Sequence, residues 1–186
     1  MKQSFYEFKS PFTKEELNYL IEKYSKDLPP LQVVGDSKDV FRIGQGCWIS
    51  QPDPVVDRFK NIISGITGLP VENQESPNFI KYEVGGHYKH HHDYFDPKAS
   101  YYPEHHKRGG QRVFTSIFYL NDDFEGGETE FPKIPMVVKP EAGKIFTWRN
   151  MTTDGKLYED SYHAGLPVTN GIKYIIVVWF RENKFV

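Results

Sequence analysis

The sequence predicts an α+β chain, mainly β, in which N-terminal helices support a β-sandwich or jelly roll. Three observations carry this. Aromatic residues make up 16% of the chain, dominated by Tyr and Phe, and such side chains pack well on a pleated surface. Two runs with helical spacing of apolar residues lie before residue 70. After residue 75 the apolar residues fall instead into short β-rich runs separated by Gly, Pro, Asn and Asp. Helices followed by many short strands suit a helix-backed sandwich or jelly roll. At 186 residues the chain fits one domain over 1–186 with a sizeable core.

The first helix is read in "FTKEELNYLIEKYSKDLPP". Thr13 caps it with Glu16 as the capping-box partner, and Leu17, Leu20, Ile21 and Tyr24 form one apolar stripe. The Pro29-Pro30 pair is expected to end it. The second lies in "DPVVDRFKNIISGITG". Asp53 caps it, Pro54 sits in the first turn where its missing N–H costs nothing, and Gly68 and Pro70 stop it. Val55, Phe59, Ile62, Ile63 and Ile66 are its expected inner face. "NFIKYEV", "RVFTSIFYL", "KIFTW" and "KYIIVVWFR" are the main strands. "EGGETEF" reads as a tight turn entering a strand, with Gly126 and Gly127 taking backbone angles other residues resist. It lacks the Gly-Lys-Ser/Thr ending of a phosphate loop. Between strands lies the long loop "DYFDPKASYYPEHHKRGGQ", long enough to be functional.

Composition narrows the classes of function. A net charge of −2 implies no general pull toward nucleic acid or an anionic membrane. The single cysteine, Cys47, allows no internal disulfide. "MKQSFYEFKSPF" has no apolar core of a signal peptide, and no apolar run approaches the length of a membrane span. The expectation is a cytoplasmic protein, monomeric or a homodimer, with no nucleic-acid or membrane partner.

The chemistry concentrates in "YEVGGHYKHHHDYF", which holds His87, His90, His91, His92 and Asp93. In extended chain, residues two apart share a face, so His91 and Asp93 project together while His90 and His92 project oppositely. The glycines and aromatics around the run argue against a helix there. A His-x-Asp pair needs one distant histidine to complete the two-His-one-carboxylate triad that leaves positions open on Fe(II). His163, in "DSYHAGLPV", is the candidate. His105 and His106 are the alternatives, but a polar loop is a poor platform for rigid ligation. An isolated His-x-Asp reads more often as a solvated histidine-rich loop, so the flanks decide.

Those flanks run "LPVENQESPNFIKYEVGGHYKHHHDYF", "GGQRVFTSIFYLND", "GGETEFP", "VKPEAGKIFTW" and "SYHAGLPVTNGIKYIIVVWFR". In this order, from about Arg42 to Arg181, the chain resembles the prolyl 4-hydroxylase family of Fe(II)- and 2-oxoglutarate-dependent dioxygenases, the collagen-type branch in particular. The resemblance implies a double-stranded β-helix (jelly roll) core. It implies His91, Asp93 and His163 as iron ligands and Lys173 as the partner of the distal carboxylate of 2-oxoglutarate. A cation suits that place, since a buried carboxylate would otherwise be left unpaired. Tyr82 and Thr115 match positions that help hold the cosubstrate, and Tyr88 is expected beside the first ligand. Arg112 and Arg181 match basic positions with no role fixed by sequence. His87, His90 and His92 are expected to be structural or at the surface.

The resemblance further implies Fe(II), 2-oxoglutarate and O2 as cofactors, with ascorbate rescuing oxidised iron, and a proline-containing peptide or protein as substrate. Tyr94, Tyr101 and Tyr102 are the candidates for covering an extended proline-rich segment, on a loop that its Gly109-Gly110 pair would leave free to close. Rival readings are the same chemistry on a free amino acid, another side chain or a small metabolite, and a non-catalytic jelly-roll binding module. The module would betray itself by a lost ligand or lysine, and neither is lost here. A zinc hydrolase comes last, for want of a general-base glutamate in an "HExxH" setting.

Overall fold

A computed structural model describes residues 4–9, 11–31 and 41–186. Residues 1–3 and 10 of the N-terminal stretch read above, and 32–40, lie outside the described residues. In chain order the elements are β1 Phe5–Lys9, α1 Lys14–Tyr24, β2 Arg42–Ile43, β3 Gln45–Trp48, α2 Pro54–Thr67, β4 Asn78–Tyr82 and β5 His87–His91. Then come α3 Tyr102–His106, β6 Arg112–Tyr119, β7 Glu125–Gly126, β8 Thr129–Phe131 and β9 Met136–Val138. β10 Lys144–Arg149, β11 His163–Gly165, β12 Val168–Asn170 and β13 Lys173–Arg181 complete the chain.

Among the described residues the strands form a major sheet, β1-β10-β6-β13-β4-β3, and a minor sheet, β2-β5-β11-β8-β9, with β12-β7 as a separate pair. Every pairing is antiparallel. The mainly β, α+β jelly-roll expectation holds, with one correction. Strands do not simply follow helices, because β1 precedes α1 and β2 and β3 precede α2. These pieces run two to five residues, too short for a period to register.

Both helices form for the reasons the sequence gives. Thr13 Oγ1 accepts from the Glu16 N–H while Glu16 returns to the Thr13 N–H, closing the capping box. Asp53 accepts from the N–H groups of Val55 and Val56, and Gly68 ends α2 in the left-handed region at φ 72°. α1 stops at Tyr24, several residues before the prolines expected to end it. On α2 the fully buried set is Val56, Phe59 and Ile63, while Val55, Ile62 and Ile66 are only partly buried.

The major sheet is buried on both faces, and the strand period of two sorts its residues. Phe114, Phe118, Ile176, Val178 and Phe180 join Leu17, Leu20, Phe59 and Ile63 in a core on the helix side. Ile117, Tyr119, Ile175, Val177 and Trp179, with Ile80, Tyr82 and Trp148, form a second core on the opposite face. That second face lines the cavity described next. No helix among the described residues is long and apolar enough to cross a membrane.

Candidate metal centre

β5 of the minor sheet pairs with β11 so that His91 stands opposite His163. Asp93 lies just past the end of β5, in a bend rather than in the strand, yet its carboxylate returns between the two rings. Oδ1 is 3.6 Å from His91 Nε2 and Oδ2 is 3.8 Å from His163 Nε2. One donor atom from each residue lies within 4.8 Å of the others. Among the described residues this is the one group of three such side chains that could hold a metal ion. His91 donates from Nδ1 to the Lys89 carbonyl, and His163 from Nδ1 to the Ser161 carbonyl, each at 2.7 Å. A carbonyl only accepts, so each Nδ1 carries the proton and each Nε2 presents a lone pair to the shared space.

Electrostatics prepare the set for a cation. Burial alone would raise the Asp93 carboxyl, but His91 and His163, whenever they carry a proton toward it, and Arg112 more than offset it and hold it well below the usual carboxylate range. Burial, with His91 next to it, brings His163 down to about 3, so its ring is neutral and free to ligate. The other histidines face elsewhere, as expected. His90 pairs with Glu130 at 2.8 Å, His92 meets Ser161 at 3.3 Å, and His87 bonds the Gly85 carbonyl at 2.9 Å.

The cavity runs between the sheets from the triad to Lys173 and is walled by Ile117, Trp148, Ile175, Val177 and Trp179. Lys173 opens β13 opposite Tyr82 of β4. Its ammonium is buried and donates to the Gly127 carbonyl at 2.6 Å. No carboxylate among the described residues lies within ion-pair distance of it. Burial lowers it to about 7. Gly127, at φ 68°, permits this approach, since a Cβ there would meet Lys173 Cδ at 3.1 Å. A buried ammonium with no ion-pair partner among the described residues, facing a cavity, is the complement of an anionic group. The residues present therefore fit a divalent ion at one end and an organic anion at the other.

Tyr82 lines this end, and its hydroxyl accepts from Arg42 Nε at 3.2 Å. Arg42 also lies 4.5 Å over the Tyr88 ring, which in turn stacks on His91 at 3.6 Å between centroids. Arg42, on the two-residue β2, carries no motif of its own, and sequence reasoning passed over it. Thr115 lines the cavity, but its hydroxyl donates to Asp93 Oδ2 at 2.6 Å and accepts from Asn150 Nδ2 at 2.7 Å. It belongs to the metal end. Arg112 makes two hydrogen bonds to Glu75, at 2.7 and 2.9 Å, and stacks 4.0 Å over Trp179. Arg181 is buried and structural, bonding Glu75 and the carbonyls of His105 and Gly110.

The three loop tyrosines are not brought to the cavity. Tyr94 donates to the Gly155 carbonyl, Tyr101 packs edge-on against Phe95 and His105, and Tyr102 stacks on His106. The loop is pinned at its base, where Gln111 accepts from the Phe95 N–H at 2.7 Å and donates to the Phe95 carbonyl at 2.9 Å. Gly110, at φ 84°, is a close approach rather than a hinge, since a Cβ there would meet Glu182 Oε2 at 2.5 Å.

Comparison with known proteins agrees with this geometry. The family profile described as the 2OG-Fe(II) oxygenase superfamily matches residues 77–181. A putative prolyl 4-hydroxylase of Acanthamoeba polyphaga mimivirus is 34% identical over 83% of this chain and 64% of its own length. The probable prolyl 4-hydroxylase 10 of Arabidopsis thaliana is 33% identical over 93% of the chain and 67% of its own length. The chain thus spans about two thirds of these relatives. The viral collagen prolyl hydroxylase of Paramecium bursaria Chlorella virus-1, solved as a 2OG complex, superposes with a TM-score of 0.78 at 26% identity over 97% of both chains. With a facial triad set between two antiparallel sheets, the chain belongs to the prolyl 4-hydroxylase family of the 2OG-Fe(II) oxygenases.

Proposed function

We propose that residues 1–186 form a single catalytic domain that hydroxylates a prolyl residue of a peptide or protein, with decarboxylation of 2-oxoglutarate to succinate. The carrying observation is one cavity with His91, Asp93 and His163 at one end and, at the other, a buried Lys173 with no ion-pair partner among the described residues. His91, Asp93 and His163 would hold Fe(II), leaving its remaining positions open. When bound, Fe(II) and 2-oxoglutarate supply the oxygen chemistry. Lys173 and the Tyr82 hydroxyl would hold the distal carboxylate. The apolar walls exclude water and so strengthen both attachments.

Support for a peptide comes from the surface beside the metal. A groove lined by Trp48, Glu75, Arg108, Arg112 and Phe185 adjoins the cavity through the Arg112–Trp179 stack. Aromatic and polar groups side by side suit an extended proline-containing chain. This groove replaces the tyrosine loop as the path for substrate. The test is succinate formation by the Fe(II)-loaded protein across a panel of proline-rich peptides, with mass spectrometry locating added oxygen. Peptide-stimulated turnover with oxygen on proline is expected. Turnover indifferent to every peptide, but stimulated by free amino acids or small metabolites, would move the substrate class.

A further inference from the structure

Asp93 is held by a chain of two hydrogen bonds, one from Thr115 on β6 and, behind it, one from Asn150 just past β10 to Thr115. Thr115 stands in the middle of β6, with Trp148 of β10 opposite on one side and Trp179 of β13 on the other. Asn150 follows β10, its backbone N–H bonded to the Val113 carbonyl at 2.8 Å and its carbonyl accepting from Tyr158 at 2.9 Å. The side chains form one line, Asn150 Nδ2 to Thr115 Oγ1 at 2.7 Å and Thr115 Oγ1 to Asp93 Oδ2 at 2.6 Å. Asn150 is 0% exposed and Thr115 1%, so water does not compete for either bond.

The proton count dictates the direction. An ionised carboxylate only accepts, and a threonine hydroxyl has a single proton. If that proton goes to Asp93, Thr115 can only accept from its other neighbour, which must be the amide N–H of Asn150. Asn150 therefore commits the Thr115 proton to Asp93. The competing partner is Arg112, whose Nη1 lies 4.0 Å from Asp93 Oδ1. A carboxylate released from Thr115 has that guanidinium to turn toward, away from the two imidazoles.

We infer that Asn150 and Thr115 are positioning residues for the metal, holding the Asp93 carboxylate on the Nε2 atoms of His91 and His163 and off Arg112. This rests on the metal reading above and gives Thr115 a role other than gripping the cosubstrate. Outer partners of this kind are worth about 10–100-fold in metal affinity.

The experiment measures Mn(II) and Co(II) affinity of the metal-free protein by calorimetry, beside its melting temperature without metal. Asn150→Ala and Thr115→Val are each expected to weaken binding about 10–100-fold. Thr115→Ser, which keeps the hydroxyl, should restore most of the affinity. The double variant should bind no worse than Thr115→Val alone, since the amide acts only through the hydroxyl. A purely structural role would lower the melting temperature and leave the affinity of the folded protein intact. That result, or additive losses, overturns the inference. If wild type and Asp93→Ala bind the ions equally, the metal reading itself fails, which is a separate outcome.

Discussion

Lys173 sets a pH dependence that the triad does not. Its ammonium is brought to about 7 from an ordinary 10.5 by burial, so between those values the unfolded chain binds a proton that the folded one lacks. Its burial therefore opposes folding most fully below about pH 7, and stability recovers as pH rises through that window. A carboxylate bound beside it favours the charged form and draws the proton back. The affinity for 2-oxoglutarate should accordingly fall as pH rises above about 7. Calorimetry of the Mn(II)-loaded protein from neutral to alkaline pH checks this, with Lys173→Arg, always charged, as the flat control. A wild-type affinity unchanged with pH would remove Lys173 from the binding site. Lys173→Ala should cost about 3–5 kcal/mol of 2-oxoglutarate binding while Mn(II) affinity stays. At the other end, His91→Ala should abolish hydroxylation. His90→Ala, which loses a half-exposed pair with Glu130 and a stack on Tyr162, should keep at least part of it, and a dead His90→Ala beside an active His91→Ala would reverse the assignment of the iron ligand. The strand period of two suggests pairing His91 with Asp93, but Asp93 sits in a bend past β5, so the period alone does not place its carboxylate. Asn150 was not legible, because its partner Thr115 lies 35 residues away and no spacing marks a single asparagine after a strand.

Elements were legible where a cap or a long period announces them. α1 and α2 carry both signals, and β6 and β13, eight and nine residues long, are long enough for their composition to speak. The loop from Tyr94 to Gln111 shows what composition misses. Tyrosines and glycines suggest a free lid, but the side chains that fix it, Gln111 and Arg181, make their bonds across the fold. Arg181 reaches the Gly110 carbonyl at 2.9 Å and Glu75 at 3.0 Å. Hydrogen exchange should therefore find the Phe95 amide protected, since it donates to Gln111 inside the protein. Gln111→Ala should raise exchange over 95–110 and leave β5 and β11 unchanged. Fast exchange at Phe95 in the wild type would mean that the base of the loop opens after all. Replacing Tyr101 and Tyr102 by Ala, on this geometry, should loosen α3 and leave metal affinity untouched.

The order of the sheets is the part of the molecule no local signal could give. β10 lies between β1 and β6, and β13 between β6 and β4. Each pairing joins segments far apart in sequence, chosen by burial of both faces and not by turns. What the two-residue period does supply is a division of labour across the major sheet, because adjacent residues of one strand serve different cores. Ile176 is fully buried against the helices, whereas Ile175 lines the cavity between the metal end and Lys173. Both should cost about 2–5 kcal/mol when cut to Ala, since each leaves a void in a packed core. Their effects on binding should differ. Ile176→Ala, measured well below its melting temperature, should bind Mn(II) and 2-oxoglutarate as wild type does, because the lost methyls face α1 and α2. Ile175→Ala opens the wall beside Lys173, admits water and should weaken 2-oxoglutarate while sparing the metal. Thermal melts and calorimetry on the two variants separate stability from binding. If Ile176→Ala lost cosubstrate affinity as much as Ile175→Ala, the two cores would be one mechanical unit, and the helices would be part of the site rather than its support.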